Sequence, residues 1–108
     1  MFHKIFLILF ISLINFNIFA DNNRIIIAST TSAYDSGLID YVNKEFEKKF
    51  NIKIHVLALG TGQAIRIAKN GDADILLVHD NHSEIEFIKE GYGNTRHNLM
   101  YNDYVIVG

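Results

Sequence analysis

Short apolar runs alternate with amphipathic stretches along residues 24–108, and the short runs predict strands. The first strand is expected over 24–28, where β-branched residues form a continuous apolar run. The second is expected over 53–59, in which Ile54, Val56 and Ala58 share one side of the alternation. Further apolar runs predict strands over 73–78 and within 99–107.

The longest amphipathic stretch predicts a helix over residues 32–50. Apolar residues recur there at every fourth position and are expected to form its core face: Leu38, Val42, Phe46 and Phe50. Ser32 with Asp35 three positions later is a plausible N-terminal capping pair. Gly37 predicts an irregular first turn, because glycine in a helix costs about 1 kcal/mol relative to alanine.

Two shorter helices are predicted further along the chain. Residues 61–69 place Ala64, Ile65 and Ala68 on one face, and Asn70-Gly71 is expected to end that helix. Residues 83–90 form the last helix, with Ser83 as its cap and Gly91 as its stop.

This alternation of strands and helices predicts an α/β fold with a mostly parallel sheet and right-handed crossovers. In such a sheet the loops that follow successive strands lie at the same carboxyl edge, where ligands bind. The loops concerned are 29–32, 60–63 and 79–82. We therefore expect their side chains to converge on one site.

The first 20 residues have the pattern of a secretory signal peptide. A basic start up to Lys4 precedes about 15 mostly apolar residues, and cleavage is expected after Ala20. An uncleaved membrane anchor is the alternative. The remaining segment, 21–108, is expected to be one small periplasmic domain.

Charge and cysteine content narrow the functional classes. Of 10 basic and 12 acidic residues only Lys4 lies in the leader, so residues 21–108 carry a net charge of −3. A mildly acidic domain gains no long-range attraction for nucleic acid, and no nucleic-acid partner is expected. The chain has no cysteine, which excludes disulfides and a lipid-anchored lipoprotein.

The loop after the first strand carries four consecutive hydroxyl side chains, from Ser29 to Ser32. A single hydroxyl is enough to cap a helix, and ordinary capping is the simpler interpretation. The additional hydroxyl groups favour hydrogen-bond donation to an oxyanion at a helix start, with Thr30, Thr31 and Ser32 as the binding residues.

The loop after the second strand reads Gly60-Thr61-Gly62-Gln63. A dinucleotide fingerprint would need a third glycine at Ile65, and a P-loop would need a Gly-Lys-Ser/Thr triplet, which is absent. Two interpretations remain, a tight turn and an anion-cradling turn. In the second, Thr61 and Gln63 donate from their side chains and Gly62 lets the backbone approach the anion.

Other polar residues are weaker candidates. His79, Asp80 and His82 fall in the third edge loop, but no fourth ligand for a metal is evident. No Ser-His-Asp or paired-carboxylate arrangement supports catalysis. Arg96 suits bidentate binding of an oxyanion. It reaches the carboxyl edge only if residues 92–100 fold back, because a simple parallel topology puts them at the opposite edge.

In order and spacing, five segments together resemble the tungstate-binding proteins of ABC importers. These segments are ASTTSAYDSGL at 28–38, GTGQA at 60–64, GDADILLVH at 71–79, GYG at 91–93 and MYNDYVIVG at 100–108. The resemblance covers essentially all of the chain after the leader.

The resemblance implies a lobe of the type II periplasmic-binding-protein fold that captures a tungstate or molybdate oxyanion and delivers it to a membrane permease. The family has a second lobe after the strand that matches 104–108, so the chain is expected to be an N-terminal lobe without its partner lobe. The family's Arg-Arg pair corresponds to Arg96-His97, which predicts weaker binding near neutral pH. We expect a monomer with no cofactor and no enzymatic activity.

Three alternatives remain open. A receptor for phosphate or sulfate would share the fold and differ in selectivity. An exported enzyme with a nucleotide loop would need features that residues 60–65 lack. A non-functional fragment would fold poorly. Tungstate and molybdate are fully deprotonated near pH 7 and need only donors, whereas phosphate retains a proton and needs an acceptor, for which Asp35 and Asp80 are the candidates.

Overall fold

The computed structural model describes residues 23–101 and 103–108, in which three strands and four helices alternate. The leader predicted over 1–20 lies outside the described residues. The elements are, in chain order, β1 (Arg24–Thr30), α1 (Thr31–Asp35), α2 (Leu38–Phe50), β2 (Lys53–Leu59), α3 (Thr61–Lys69), β3 (Ile75–Leu77) and α4 (Asn81–Lys89). No described helix combines the length and apolarity needed to cross a membrane.

The three strands form one parallel sheet, as predicted, and their order is β2-β1-β3. Ile27 of β1 is paired with Val56 on one side and with Ile75 on the other. Paired residues in register point to the same face. The alternation predicted for β2 is confirmed, because Ile54, Val56 and Ala58 are partly buried while the residues between them are exposed.

Helix α3 packs closely against the sheet because small residues meet at the contact. Ala64 of α3 and Ala28 of β1 are both completely buried. The helix occupies the predicted residues, and its end is also as expected, with Asn70 as the C-cap and Gly71 at a φ of +80°. Left-handed backbone of this kind favours glycine after a helix.

The helix predicted over 32–50 is divided into α1 and α2. Ser36 ends α1, and Gly37 adopts a φ of +79°, so the irregularity expected at this glycine is a complete break. The predicted capping pair of Ser32 and Asp35 is wrong. Thr30 is the N-cap instead, because its side chain accepts a hydrogen bond from the N–H of Ala33.

The predicted core face of this helix is also wrong. Leu38, Val42 and Phe50 are exposed, whereas Ile39 is 6% exposed and belongs to the core. An α-helix turns 3.6 residues per turn, so a repeat of four drifts by about 40° at each step and leaves one face within a few turns. The less exposed positions, namely 39, 43, 46 and 47, follow the helical period instead.

The last helix begins earlier than predicted. Its N-cap is Asp80 rather than Ser83, and Ser83 donates to that cap from both its N–H and its hydroxyl. Gly91, at a φ of +83°, follows its end as expected.

The strand predicted within 99–107 is wrong for the described part of that segment. Residues 99–101 and 103–108 have no regular secondary structure, and their side chains are exposed. Extended backbone becomes a strand only where a neighbouring strand pairs with it, and no such pairing is present among the described residues. The strand predicted over 73–78 is shorter, at Ile75–Leu77, because only Ile75 to Leu77 pair with β1.

Candidate functional site

All three strands end at the same edge of the sheet, and each is followed there by the start of a helix. Thr30 of β1 is paired with Leu59 of β2, and Ser29 with Leu77 of β3. Helices α1, α3 and α4 begin at Thr31, Thr61 and Asn81. The convergence of the loops 29–32, 60–63 and 79–82 is therefore confirmed.

The first two hydroxyls of the β1 loop are buried and have structural partners. Ser29 is completely buried and donates from Oγ to the carbonyl oxygen of Leu77 at 2.9 Å, which joins β1 to β3 at the edge. Thr30 is 3% exposed, and its Oγ1 accepts from the N–H of Ala33 at 3.3 Å. The capping bond uses one lone pair of Thr30 Oγ1 as acceptor. The O–H of the same hydroxyl can still donate a hydrogen bond.

The next two hydroxyls, on Thr31 and Ser32, lie on the exposed side of the loop. Ser32 Oγ is 3.3 Å from Thr30 Oγ1 and also 3.3 Å from Nε2 of His79. A chain of polar groups therefore runs from the end of β1 to the loop after β3. Sequence reasoning considered His79 only as a metal ligand, although its position two residues after β3 already placed it at this edge.

The α3 start offers backbone donors. Its N-cap, Gly60, provides no side-chain hydrogen bond to the helix. Among the described residues, no partner accepts a hydrogen bond from the N–H of Thr61, Gly62 or Gln63, and the first paired amide of the helix is that of Ala64. Unpaired amides at a helix start and the helix dipole both favour a bound anion.

Gly62 leaves open space beside these amides. A Cβ built on Gly62 would meet only Nη1 of Arg66, at 3.9 Å, so neither packing nor backbone conformation requires glycine here. Glycine inside a helix normally lowers stability relative to alanine. The absence of a side chain keeps the backbone accessible at this position.

The start of α4 differs, because its polar groups bind one another. Asp80 Oδ1 accepts from the N–H of Ser83 at 3.3 Å, and Oδ2 accepts from the Ser83 hydroxyl at 2.6 Å. These bonds, the hydroxyl one foremost, lower the pKa of Asp80. Within the described ranges no three acidic, histidine or cysteine side chains are grouped to hold a metal ion, so the cation site considered at His79, Asp80 and His82 gains no support.

Arg96 lies beside the α4 start. Its Nε donates to Glu84 Oε2 at 2.7 Å, its Nη2 donates to Asn81 Oδ1 at 2.5 Å, and its Nη1 donates to Asn98 Oδ1 at 3.0 Å. Asn81 and Glu84 belong to the first turn of α4, which follows the carboxyl end of β3. Residues 92–96 therefore fold back toward the edge, as an Arg96 contribution requires.

A compact turn explains this return of the chain. Gly91 has a φ of +83°, and the ring of Tyr92 packs on the ring of Phe87 with centroids 5.7 Å apart. A Cβ on Gly93 would lie 2.7 Å from Ile88 Cδ1 and 3.0 Å from Phe87 Cε1. The backbone at Gly93 therefore passes directly over α4, where a side chain would not fit.

The predicted binding residues thus fall into three groups at one edge: Thr30, Thr31 and Ser32 after β1; Thr61, Gly62 and Gln63 after β2; and Arg96 beside α4. The direct contacts join the first group to His79 of the β3 loop. The unpaired groups at this edge are mainly hydrogen-bond donors. Such an arrangement suits an anion.

The chain is similar in sequence to known binding proteins. Residues 18–108 match the family model of the PBP superfamily domain. The chain is 51% identical over 84 residues to the tungstate-binding protein TupA of Peptoclostridium acidaminophilum, covering 78% of this chain and 29% of that protein. It is 38% identical over 76 residues to TupA of Campylobacter jejuni, covering 70% of this chain and 28% of that one.

A solved structure is similar as well. The tungstate-binding protein TupA from Desulfovibrio alaskensis G20 superposes with a TM-score of 0.72 at 41% sequence identity, over 74% of this chain and 32% of that one. The chain spans less than a third of the length of each of these three relatives.

Proposed function

The chain belongs to the PBP superfamily, and we propose from that premise that it is the solute-binding component of an ABC importer that captures a tungstate or molybdate oxyanion. It acts in the periplasm and delivers the anion to a membrane permease. The proposal assigns binding without turnover and requires no cofactor. The observation that carries it is the meeting of three strand ends at one edge, where the amides of Thr61, Gly62 and Gln63 have no described partner.

The edge supplies donors of three kinds for one anion. The α3 start provides backbone amides, and the β1 loop provides the hydroxyls of Thr31 and Ser32. Arg96 provides a fixed positive charge beside α4. A net charge of −2 for the whole chain gives no general attraction for anions, so local donors and dipoles must provide the affinity.

The state of Asp80 supports an anion that carries no proton. Hydrogen phosphate would need an acceptor at the site, and the Asp80 carboxylate is held in the α4 cap, where each of its oxygens accepts a hydrogen bond from Ser83. Asp35, the other acidic candidate, is the last residue of α1, at the opposite end from its N-cap. A site made mainly of donors, with Asp80 engaged in helix capping, favours tungstate or molybdate over hydrogen phosphate.

The direct test is a calorimetric titration of tungstate into the purified protein, with phosphate and sulfate as competitors. We expect saturable heat that excess phosphate does not abolish. Equal affinities for phosphate and tungstate would overturn the assignment of a proton-free dianion. Absence of heat from a sample that circular dichroism shows to be folded would overturn capture by this chain.

A paired substitution separates binding from folding. Gly62→Ala is expected to raise stability by about 0.5–1 kcal/mol, since alanine favours a helix and no steric clash opposes it. Its methyl group is expected to weaken tungstate binding, because it occupies the space beside the donor amides.

Gly71→Ala is the matched control at the other end of α3. It is expected to lower stability, because Gly71 has a φ of +80°, and to leave tungstate affinity unchanged. Wild-type affinity in the Gly62→Ala variant would remove the α3 start from the site.

A further inference from the structure

The guanidinium of Arg96 is held by side chains of one helical turn. Glu84 accepts from Nε at 2.7 Å and Asn81 accepts from Nη2 at 2.5 Å, while Asn98 accepts from Nη1 at 3.0 Å. The ion pair is sheltered, with 29% of the Arg96 side chain and 20% of the Glu84 side chain exposed. An arginine in such a sheltered pair loses much of its rotational freedom.

Asn81 and Glu84 are three residues apart, so they lie on the same face of α4. A guanidinium has five N–H donors in a rigid planar fork. The three contacts use one donor on each nitrogen, which leaves one N–H on Nη1 and one on Nη2. Two N–H groups on adjacent nitrogens match the bidentate geometry in which arginine binds an oxyanion.

We propose that Glu84, together with Asn81, is a positioning residue of the oxyanion site, which fixes the Arg96 guanidinium so that its two remaining donors are available to the anion. This inference rests on the proposed function of the chain. Neither Glu84 nor Asn81 was a candidate from the sequence, which placed Asn81 in the loop before the helix predicted over 83–90.

Because Glu84 is negatively charged, a charge effect and a positioning effect change the tungstate affinity in opposite directions. A carboxylate beside the site repels an anion and offsets the charge of Arg96. If its charge were its only influence, removing Glu84 would strengthen tungstate binding. Positioning has the opposite effect, because a guanidinium without its partner samples many orientations and loses conformational entropy when the anion binds.

The experiment compares tungstate affinities of the purified protein and five variants by calorimetry. Glu84→Ala is expected to weaken binding by roughly tenfold, the scale seen when groups that orient binding residues are lost. Glu84→Gln keeps an acceptor for Nε and is expected to retain most of the affinity. Glu86→Ala is the control on the same helix, since Glu86 pairs with Lys89 and not with Arg96, and it is expected to bind like wild type.

The fourth variant combines Glu84→Ala with Arg96→Ala, and the fifth, Arg96→Ala alone, is its reference. Once Arg96 is absent, loss of Glu84 is expected to have no further weakening effect, as a double-mutant cycle requires for a role that acts through Arg96. An unchanged or stronger affinity in Glu84→Ala, or an equal loss in Glu84→Ala with and without Arg96, would overturn the proposal.

A measurement without ligand separates this inference from the proposed function. In ¹H–¹⁵N spectra the Nε–H of Arg96 is expected to exchange slowly with solvent in the wild type and in Glu84→Gln, and rapidly in Glu84→Ala. Rapid exchange in all three would overturn the positioning role. If the wild type binds no tungstate while this pattern holds, the proposed function fails and the hold on Arg96 stands.

Discussion

Thr30 lies at the junction of β1, α1 and the candidate site, and its hydroxyl has a structural role at the start of α1. It is 3% exposed, and its Oγ1 caps α1 through the N–H of Ala33. Thr30→Val preserves the shape of the side chain and removes this acceptor, so a loss of about 1–2 kcal/mol in the free energy of unfolding is expected. Denaturant unfolding measures this change.

Two variants define the contrast for Thr30. Thr30→Ser retains the hydroxyl and is expected to remain close to wild type. Thr31→Val alters an exposed neighbour and is expected to change stability by less than about 0.5 kcal/mol. A Thr30→Val variant as stable as Thr31→Val would show that the cap is dispensable.

Asp80 gives the fold a dependence on acid pH. Hydrogen bonds from the Ser83 hydroxyl and N–H lower the pKa of Asp80 in the folded state. Its contribution to stability is therefore complete above its unfolded pKa, near 4, and is lost as the pH falls through the lower folded value. Asp80→Asn can still cap the helix but cannot titrate, so a shallower loss of stability in acid is expected.

Thermal unfolding midpoints measured between about pH 2 and pH 6 test this prediction. Asp72→Asn removes the same charge from an exposed position before β3, without the contacts to Ser83. The two variants are expected to differ toward neutral pH, where only Asp72→Asn keeps the charged Asp80 cap, and to converge in acid, where that contribution is lost. Parallel profiles for Asp80→Asn and the wild type would show that the Asp80 cap does not titrate with folding.

At the scale of elements, the sequence predicted those structures whose signals are local. Helix α3 and strand β2 have the predicted bounds, because Gly60, Asn70-Gly71 and the alternation from Ile54 onward are all contained in the elements or next to them. The parallel sheet and the shared edge follow from connection rules that apply to any such alternation.

Predictions that depended on distant partners were wrong or incomplete. Ile39 rather than Leu38 faces the core because the break at Gly37 and the 3.6-residue period set the phase of α2. The 99–107 segment needed a pairing strand that its own residues do not specify. In the site, the loops were predictable from topology, but the contacts of Ser32 with His79 and of Arg96 with Glu84 join residues 47 and 12 positions apart.

The turn after α4 is expected to control where Arg96 lies. Gly93→Ala places a Cβ 2.7 Å from Ile88 and 3.0 Å from Phe87, and Phe87 belongs to the buried core. The backbone must move away from α4, which is expected to cost about 1–3 kcal/mol and to loosen the hold on Arg96. Chemical unfolding and the Nε–H exchange rate of Arg96 measure the two effects.

Asn94→Ala is the control for this turn, because Asn94 is exposed and adjoins Gly93. It is expected to leave both stability and Nε–H exchange unchanged. A Gly93→Ala variant with wild-type exchange would show that residues 94–96 reach α4 without help from the close approach at Gly93.

At the scale of the whole molecule, the described residues bury a small core and expose much apolar surface. The buried apolar residues are Ile27, Ala28, Ile39, Ala64 and Phe87, and large exposed ones include Tyr41, Val42 and Phe50 of α2. A core of this size supports only marginal stability. The stability of the molecule should therefore respond strongly to any ligand that binds its folded state. The expectation of a monomer stays a prediction.

Ligand binding should appear as a large rise in the unfolding temperature. A ligand at 100 times its Kd adds about 2.7 kcal/mol to the folded state. For a domain of 60–100 residues 1 kcal/mol corresponds to about 4–8 °C, so tungstate is expected to raise the midpoint by roughly 10–20 °C. Hydrogen phosphate at the same concentration is expected to give little change, because the Asp80 carboxylate is engaged with Ser83 in the α4 cap. Gly62→Ala should reduce the tungstate shift although its own midpoint is higher, since the substitution favours the helix and obstructs the anion. Equal shifts from tungstate and phosphate would indicate nonspecific stabilisation by salt, and would contradict a site built from donors alone.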